Sequence, residues 1–290
     1  MKVGSECIPC LFERAKFECD LVFDDEEAKV RALVEVMNSI SPLINPDIIP
    51  AVLGTMRERL IRKIGNSYDP YHDLKVASDD AAFSLLPVAD AFYKDSSDKT
   101  EALIRIAAAA NTMEYGVMGH DFHHDKFAST FLSILNNDFL YDPQIGEALG
   151  AFDKVLYLTD NTGEVVFDDY VAKKLVEIGK DIVVAPKSDP IINDATVKDI
   201  KRSGLFDGFK MEPSGSYVGI DLDEAHDAFK ELLWEGDRLV IAKGMGHYET
   251  ISEFEDKLRG RLIYVLQAKC EPVSRSIGVK KGTIVSRLIN

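Results

Sequence analysis

The hydrophobic pattern of this sequence changes at about residue 152. Beyond that point, short apolar runs at 154–159, 181–186, 208–211, 238–243 and 262–267 alternate with amphipathic helical stretches. Parallel strands require a crossover between them, and the crossover is usually a helix. The alternation therefore predicts a mostly parallel sheet covered by helices. We expect a Rossmann-like α/β/α three-layer domain over residues 152–290.

Before residue 152 the pattern is helical almost throughout. Polar and proline-containing segments separate the candidate helices, as a helical array requires. We expect an all-helical domain over residues 1–151, which makes the whole chain an α/β multidomain protein. The predicted helices lie near residues 7–22, 25–40, 47–64, 70–86, 99–115, 124–137 and 143–150.

Composition and charge restrict the partners and the location of the protein. The chain has 290 residues, of which 46% are hydrophobic, and a formal net charge of −15. We expect no nucleic-acid partner, because duplex binding depends on Lys and Arg. A small phosphorylated metabolite needs only a local cation or a metal ion. The sequence has no apolar run of about 18 residues and no signal-peptide core, so we expect a cytoplasmic protein without membrane contact. The oligomeric state is not indicated.

Polar residues follow several of the predicted strands. Asp160 and Asn161 come after the first strand, Asp194 lies in the segment after the second, and Lys243 ends the fourth. The carboxyl ends of parallel strands meet at one edge of a sheet, where ligands bind. Carboxylate and amide oxygens are the donors that Mg²⁺ and Mn²⁺ prefer. The pattern therefore predicts a metal site at this edge.

Each of these residues also has a structural explanation. The segment 160–163 could be a capped turn, Asn193 or Asp194 could cap the helix that follows, and Lys243 could be an ordinary surface charge. All of these residues fall at strand ends of one sheet. A purely structural role for all of them at once is therefore less favoured than such a role for any one of them.

This set of residues suits phosphoryl transfer to water. A divalent ion holds a phosphate oxygen and lowers the pKa of a bound water, while a lysine offsets charge in the transition state. Gly244 and Gly246 would let backbone amides approach the phosphate. The spacing fits metal-assisted hydrolysis of another group equally well. The motifs of P-loop nucleotide hydrolases, dinucleotide-binding domains and nucleophile-elbow hydrolases are absent from the sequence.

Two other classes of function stay open. An S-adenosylmethionine-dependent methyltransferase would use the Rossmann-like half, but it predicts a Gly-rich first turn and an acidic end to the second strand. The sequence has Asn-Thr-Gly at 161–163 and Pro-Lys at 186–187 in these places. A non-catalytic phosphometabolite-binding protein, or a metal-storage module, would bind its ligand without turnover.

Cys7, Cys10 and Cys270 indicate a possible second metal site. A C-x-x-C pair with a third cysteine could hold structural zinc. The alternatives are reduced thiols packed at a helix start and a redox switch. Histidines at 120, 123 and 124 have no evident partner in the sequence, and we expect them in a solvated loop.

Several blocks of the sequence resemble the metal-dependent damage-control phosphatases, a family long catalogued as a domain of unknown function. The resemblance reaches both ends of the chain through the cysteine pair and a block near the carboxyl terminus. The blocks are A-x-N-x-x-E-x-G at 109–116, D-N-x-G-E at 160–164, P-I-I-N-D-A-T at 190–196, K-G-x-G-x-Y-E at 243–249, C-I-P-C at 7–10 and A-K-C-E-P-V at 268–273.

The resemblance implies a helical domain beside a Rossmann-like α/β/α domain, with the active site between them. It implies hydrolysis of phosphate monoesters, including sugar phosphates and damaged metabolites, with Mn²⁺, Co²⁺, Ni²⁺ or Mg²⁺ as activator. Asp160, Asn161 and Asp194 would bind the metal and Lys243 would meet the phosphate. A metal-activated water is the expected nucleophile, and attack by Asp160 through an aspartyl-phosphate is the alternative.

The resemblance also suggests which residues carry catalysis and substrate binding. We assign catalysis to Asp160, Lys243 and Asn111, the last of which would reach the site from the helical half. We assign substrate binding to Asn111, Glu114, Glu164, Lys243, Gly244, Gly246 and His247.

Two of these residues depart from the family pattern. Glu114 stands where Asp is expected, and its extra methylene changes its reach. His247 stands where Asn is expected, and a histidine titrates near neutrality and binds phosphate or soft metals. We expect both to affect the choice of substrate more than the class of reaction.

Overall fold

The structure, a computed structural model, describes residues 1–113, 124–136 and 139–290, with the side chains of 124–128 and 130 outside that description. Glu114, His120 and His123 lie outside the described residues, as does the side chain of His124. The expectations for these four residues therefore stay predictions.

The described part of the first half is predominantly helical, as predicted. Two of the helices begin at a side-chain cap: the carboxylate of Asp25 accepts from Ala28 N at 2.7 Å, and that of Asp98 accepts from Glu101 N at 2.9 Å. The helices are α1 (Cys7–Val22), α2 (Glu26–Ile40), α3 (Pro50–Gly65), α4 (His72–Asp95), α5 (Lys99–Ala110), α6 (His124–Asn136) and α7 (Gln144–Ala151), with a 3₁₀ turn at Ser41–Leu43.

Helix α4 extends further than its predicted end at residue 86. It continues through Pro87, although proline removes a helical hydrogen bond. The extension is stabilised by packing, since Ala89 is fully buried and Phe92 and Tyr93 pack against the largest apolar cluster. Tertiary packing outweighs the local cost of the proline here.

The second half forms a mixed seven-stranded sheet with the order β1-β7-β6-β5-β2-β3-β4. Neighbouring strands run parallel except for the antiparallel pair β6 and β7. The strands are β1 (Phe139–Tyr141), β2 (Lys154–Leu158), β3 (Asp181–Ala185), β4 (Lys210–Met211), β5 (Arg238–Lys243), β6 (Leu262–Gln267) and β7 (Ile284–Ile289). The helices of this half are α8 (Glu164–Glu177), α9 (Val197–Arg202), α10 (Asp227–Trp234), α11 (Gly244–Ile251) and α12 (Glu271–Ile277), with a 3₁₀ turn at Glu255–Leu258.

Strands β1 and β7 were not predicted. β1 has three residues, too few to show a strand period, and the apolar run of β7 is interrupted by Ser286 and Arg287. β1 lies before residue 152 and pairs with β7, so the sheet includes residues from both halves of the chain. The two-domain division at residue 151 stays a prediction.

The sheet is buried on both faces, which gives the expected layers. Along β2, Val155 and Tyr157 belong to one apolar cluster, while Leu156 and Leu158 belong to another on the opposite face. The first cluster also contains buried residues of α4, α5, α6, α7 and α8, and the second those of α10, α11 and α12. Helices α1 to α3 share a third, smaller cluster. The α/β multidomain fold class is confirmed.

Within the part of the chain that is described, no helix is long and apolar enough to cross a membrane.

Glu58 of α3 makes stability depend on pH. Burial raises the pKa of its carboxyl to about 7, against the opposing effect of Arg62, whose guanidinium lies 3.5 Å away. The folded protein therefore holds this proton more tightly than the unfolded chain, and stability falls as pH rises from about 4.5 to about 7. Between these pH values we expect the free energy of unfolding to fall by up to about 3 kcal/mol less in Glu58→Gln than in the natural protein.

Thermal melts of the natural protein and Glu58→Gln between pH 5 and pH 8 measure this effect. The exposed Glu35→Gln on α2 is the matched control. Equal slopes of melting temperature against pH in all three proteins would contradict the assignment.

Candidate active site

The loops after β2 and β3 are joined by backbone hydrogen bonds. Asn161 and Asp194 form an isolated antiparallel bridge. Ala195 N donates to Asp160 O at 2.8 Å, and Thr162 N donates to Asn193 O at 3.0 Å. This pairing brings Asp160, Asn161 and Asp194 together at the carboxyl edge of the sheet, as the sequence predicted.

The cap of helix α9 is a different residue from those considered in the sequence. Thr196 Oγ1 accepts from Asp199 N at 3.1 Å, and the Asp199 carboxylate accepts from Thr196 N at 3.1 Å. The helix therefore begins after Thr196, and capping does not explain why Asn193 and Asp194 are present.

The carboxylate of Asp160 is oriented by two side-chain amides. Asn161 Nδ2 donates to Asp160 Oδ2 at 2.8 Å and to Glu164 Oε2 at 3.1 Å. Asn111 Nδ2 donates to the same Asp160 oxygen at 2.9 Å. The amide nitrogen of Asn161 therefore faces the carboxylates of Asp160 and Glu164.

Asn111 connects three parts of the protein at this point. It follows the last residue of α5, and its Oδ1 accepts from Gln267 N at the end of β6 at 3.0 Å. Its Nδ2 also contacts both oxygens of Glu164, at 3.1 and 2.9 Å. Asn111 thus reaches the site from the helical half and positions Asp160, while its catalytic role stays a prediction.

Lys243 is fully buried and surrounded by carboxylates. Its Nζ donates to Glu164 Oε1 and, at 2.8 Å, to Asp168 Oδ1. Burial acts to lower the pKa of Lys243, but the two carboxylates outweigh it and raise that pKa to about 12. Burial likewise raises the pKa of Asp168 to about 6. Contact of Lys243 or Glu164 with substrate stays a prediction, since both are fully buried.

The turn between β5 and α11 lies directly against Asp160. Gly244 has φ 78°, and a Cβ atom there would overlap the Asp160 carboxylate. Only glycine combines this conformation with such close approach. Gly246, two residues on, lines the cavity described below.

His247 differs from the expectation of titration near neutrality. The side chain is buried, and its Nδ1 lies 2.7 Å from the carbonyl oxygen of Lys243, to which it donates. Burial and the nearby Lys187 hold the pKa of His247 well below its usual value, so the ring is neutral. Its role in substrate binding stays a prediction.

A cavity of about 230 Å³ opens beside the three predicted metal ligands. Asp160, Asn161 and Asp194 form part of its wall, and helices α1 and α3 supply Arg14 and Arg57. The cavity therefore lies between the helical half and the sheet edge, where the resemblance implied the active site.

Cys7, Cys10 and Cys270 line the same cavity as free thiols. Burial raises the pKa of Cys7, and it raises that of Cys270 to about 12, so both are protonated thiols here. Among the side chains that the structure describes, no group of three or more from His, Cys, Asp or Glu is placed to hold a metal ion. Zinc at the cysteines stays a prediction, and the oxygen site depends on Asn161 as its third donor.

The comparison with known proteins identifies the family. A model of the damage-control phosphatase ARMT1-like domain matches residues 3–285. The chain belongs to this family. The resemblance found in the sequence is confirmed, and family membership supports a phosphatase role.

Relatives in the damage-control phosphatase family span the whole length of the chain. A damage-control phosphatase of Archaeoglobus fulgidus is 31% identical over 100% of both chains. Another, from Pyrococcus horikoshii, is 30% identical over 98% of this chain and 97% of its own. The crystal structure of a DUF89 family protein from Pyrococcus horikoshii superposes with a TM-score of 0.87 and 30% identity, covering 100% of both chains.

Some charged residues of this candidate site were missed in the sequence. Lys187 is buried, donates to Gly219 O at 2.5 Å and lies 3.7 Å from Asp194 Oδ2. Arg14 and Glu18 of α1, spaced i and i+4, are buried on the inner face of that helix. The sequence signal for Arg14 and Glu18 is a pair of opposite charges on an otherwise apolar helix face.

Replacing Gly244 tests how closely the turn holds Asp160. We expect Gly244→Ala to strain the left-handed backbone, displace the Asp160 carboxylate and weaken Mn²⁺ binding at least about tenfold, as loss of ligand support does at metal sites. The measurement is titration calorimetry with Mn²⁺. Gly236→Ala, at the other end of β5, is the control, because a Cβ there meets nothing within 4 Å. Unchanged Mn²⁺ affinity in Gly244→Ala would show that the turn does not position a metal ligand.

Proposed function

We propose that this protein is a divalent-metal-dependent phosphatase that hydrolyses small phosphate monoesters. The observation that carries the proposal is the backbone bridge between Asn161 and Asp194, which places two carboxylates and an amide at the wall of one cavity. Membership of the damage-control phosphatase family supports the class of reaction.

The residues at this site fit a hard divalent cation. Asp160 and Asp194 are buried carboxylates, and Asn161 adds a neutral carbonyl oxygen. Such all-oxygen sets favour Mg²⁺ and Mn²⁺, and the family resemblance adds Co²⁺ and Ni²⁺. When bound, the ion supplies polarisation of the phosphate and a water of lowered pKa.

The surrounding residues position these donors. The amides of Asn111 and Asn161 hold one oxygen of Asp160, and Gly244 leaves room for the carboxylate. Gly246, at the start of α11, lines the cavity, where backbone amides can approach a phosphate. We assign Asp160 to metal binding, with direct attack on phosphorus as the alternative role.

The cavity favours a small substrate. Pockets for drug-sized ligands occupy about 300–1,000 Å³, whereas this cavity measures about 230 Å³. Sugar phosphates and damaged phosphometabolites are the proposed substrate class, which the names of the Archaeoglobus and Pyrococcus relatives also support.

Removing one ligand tests the proposal. We expect the natural protein to hydrolyse p-nitrophenyl phosphate with Mn²⁺ and to lose that activity with EDTA. We expect Asp194→Asn to lower kcat/KM by at least about 100-fold, because metal sites lose about 10- to 100-fold even on loss of outer residues. Asp189→Asn is the control, since Asp189 is exposed in the same loop.

The outcomes of this assay separate the alternatives. Hydrolysis that is unaffected by EDTA and by Asp194→Asn would contradict the metal assignment. Binding of sugar phosphates with Mn²⁺ but without turnover would instead favour a non-catalytic phosphometabolite-binding protein.

A further inference from the structure

Lys243 is poorly placed to balance the charge of a phosphate group. Lys243 is enclosed by Glu164 and Asp168, so its positive charge is already matched by carboxylates. A divalent ion and the buried Lys187, which lies 3.7 Å from Asp194, would together exceed the charges of Asp160 and Asp194 by only one. A phosphate monoester dianion therefore needs another cation on the cavity wall.

Arg14 of α1 is in the position to meet that need. Its side chain is buried and lines the cavity together with Asp160, Asn161 and Asp194. Its Nη2 donates to Asn193 Oδ1 at 3.3 Å, and Asn193 is the residue immediately before Asp194. The guanidinium thus lies at the metal-ligand end of the cavity.

A buried network holds this guanidinium in place. Arg57 Nε and Nη2 donate to the two oxygens of Glu18 at 2.9 and 2.8 Å, and the Tyr71 hydroxyl donates to Glu18 Oε1 at 3.1 Å. Arg14 Nε lies 4.0 Å from Glu18 Oε1. Both arginines therefore face the same buried glutamate, which fixes where the Arg14 side chain lies on the cavity wall.

We propose that Arg14 binds the phosphate group of the substrate and that Glu18, Arg57 and Tyr71 position it. This inference rests on the proposed function, because it assigns a second binding group to the same phosphate. A planar guanidinium can donate two parallel hydrogen bonds to phosphate oxygens, which a lysine cannot. The helical half then supplies part of the phosphate site, facing the metal ligands on the sheet edge.

The test compares the natural protein with Arg14→Gln in the presence of saturating Mn²⁺. We expect the affinity for inorganic phosphate, measured by calorimetry and by inhibition, to weaken at least about tenfold, and kcat/KM to fall about 100-fold, as on loss of one donor to a transition-state oxyanion. The Mn²⁺ affinity should stay within about threefold, because Arg14 is not a metal ligand. Arg59→Gln is the control: Arg59 of α3 pairs with Glu224 outside the cavity.

A second variant separates phosphate binding from a structural role. In Arg14→Ala, added guanidinium at a non-denaturing concentration should restore part of the activity, whereas a folding defect would not respond to it. If neither variant folds, Arg14→Lys keeps the charge, and we expect it to bind phosphate more weakly than the natural protein because the bidentate contact is lost.

Different results would overturn this inference and the proposed function. An active natural protein whose phosphate affinity and kcat/KM are unchanged in Arg14→Gln overturns the role of Arg14 alone. A natural protein that hydrolyses no ester overturns the proposed function, and phosphate binding then still tests Arg14. Equal phosphate affinity in both proteins, or no phosphate binding by the natural protein, overturns the inference.

Discussion

The backbone pairing between the loops after β2 and β3 is the constraint on which the site depends. Asn161 and Asp194 are far apart in sequence, and their bridge sets both beside Asp160. Because the bridge uses main-chain groups, the side chains remain available for other contacts. The capping box at Thr196 also leaves the side chain of Asp194 available, since it completes the start of α9 without using that residue.

The helical half takes part in the site as well as in the core. Gly163, in the turn after Asp160, donates its N–H to Asp79 of α4 at 2.8 Å, and a Cβ at Gly163 would lie 2.9 Å from Ser78 O. Asn111 reaches Asp160 from the end of α5, and Arg14 lines the cavity from α1. A shift of these helices against the sheet would therefore alter both the metal ligands and the opposite wall of the cavity.

Local pattern predicted much of this architecture. The apolar runs of β2, β3, β5 and β6 were visible because each is followed by a turn and a helical period. β7 was missed because Ser286 and Arg287 interrupt its apolar run, and α4 passes through Pro87 because burial of Ala89 compensates. The ends of the predicted strands placed Asp160, Asn161 and Asp194 close together, since the carboxyl ends of parallel strands lie at the same edge of a sheet.

Contacts between distant segments could not be predicted in this way. The enclosure of Lys243 by two carboxylates, the burial of His247 and the approach of Arg14 to Asn193 all depend on how separate elements pack. Paired charges on α1 are visible in the sequence, but their direction towards the sheet edge is a property of the folded chain.

The location of a bound metal ion tests the central claim most directly. Crystals soaked in MnCl₂ and measured at the manganese absorption edge give an anomalous difference map. The account predicts a peak about 2–2.6 Å from oxygen atoms of Asp160, Asn161 and Asp194, the range for hard divalent ions. A peak beside Cys7, Cys10 and Cys270 with none at the carboxylates, or no peak at all, would contradict it.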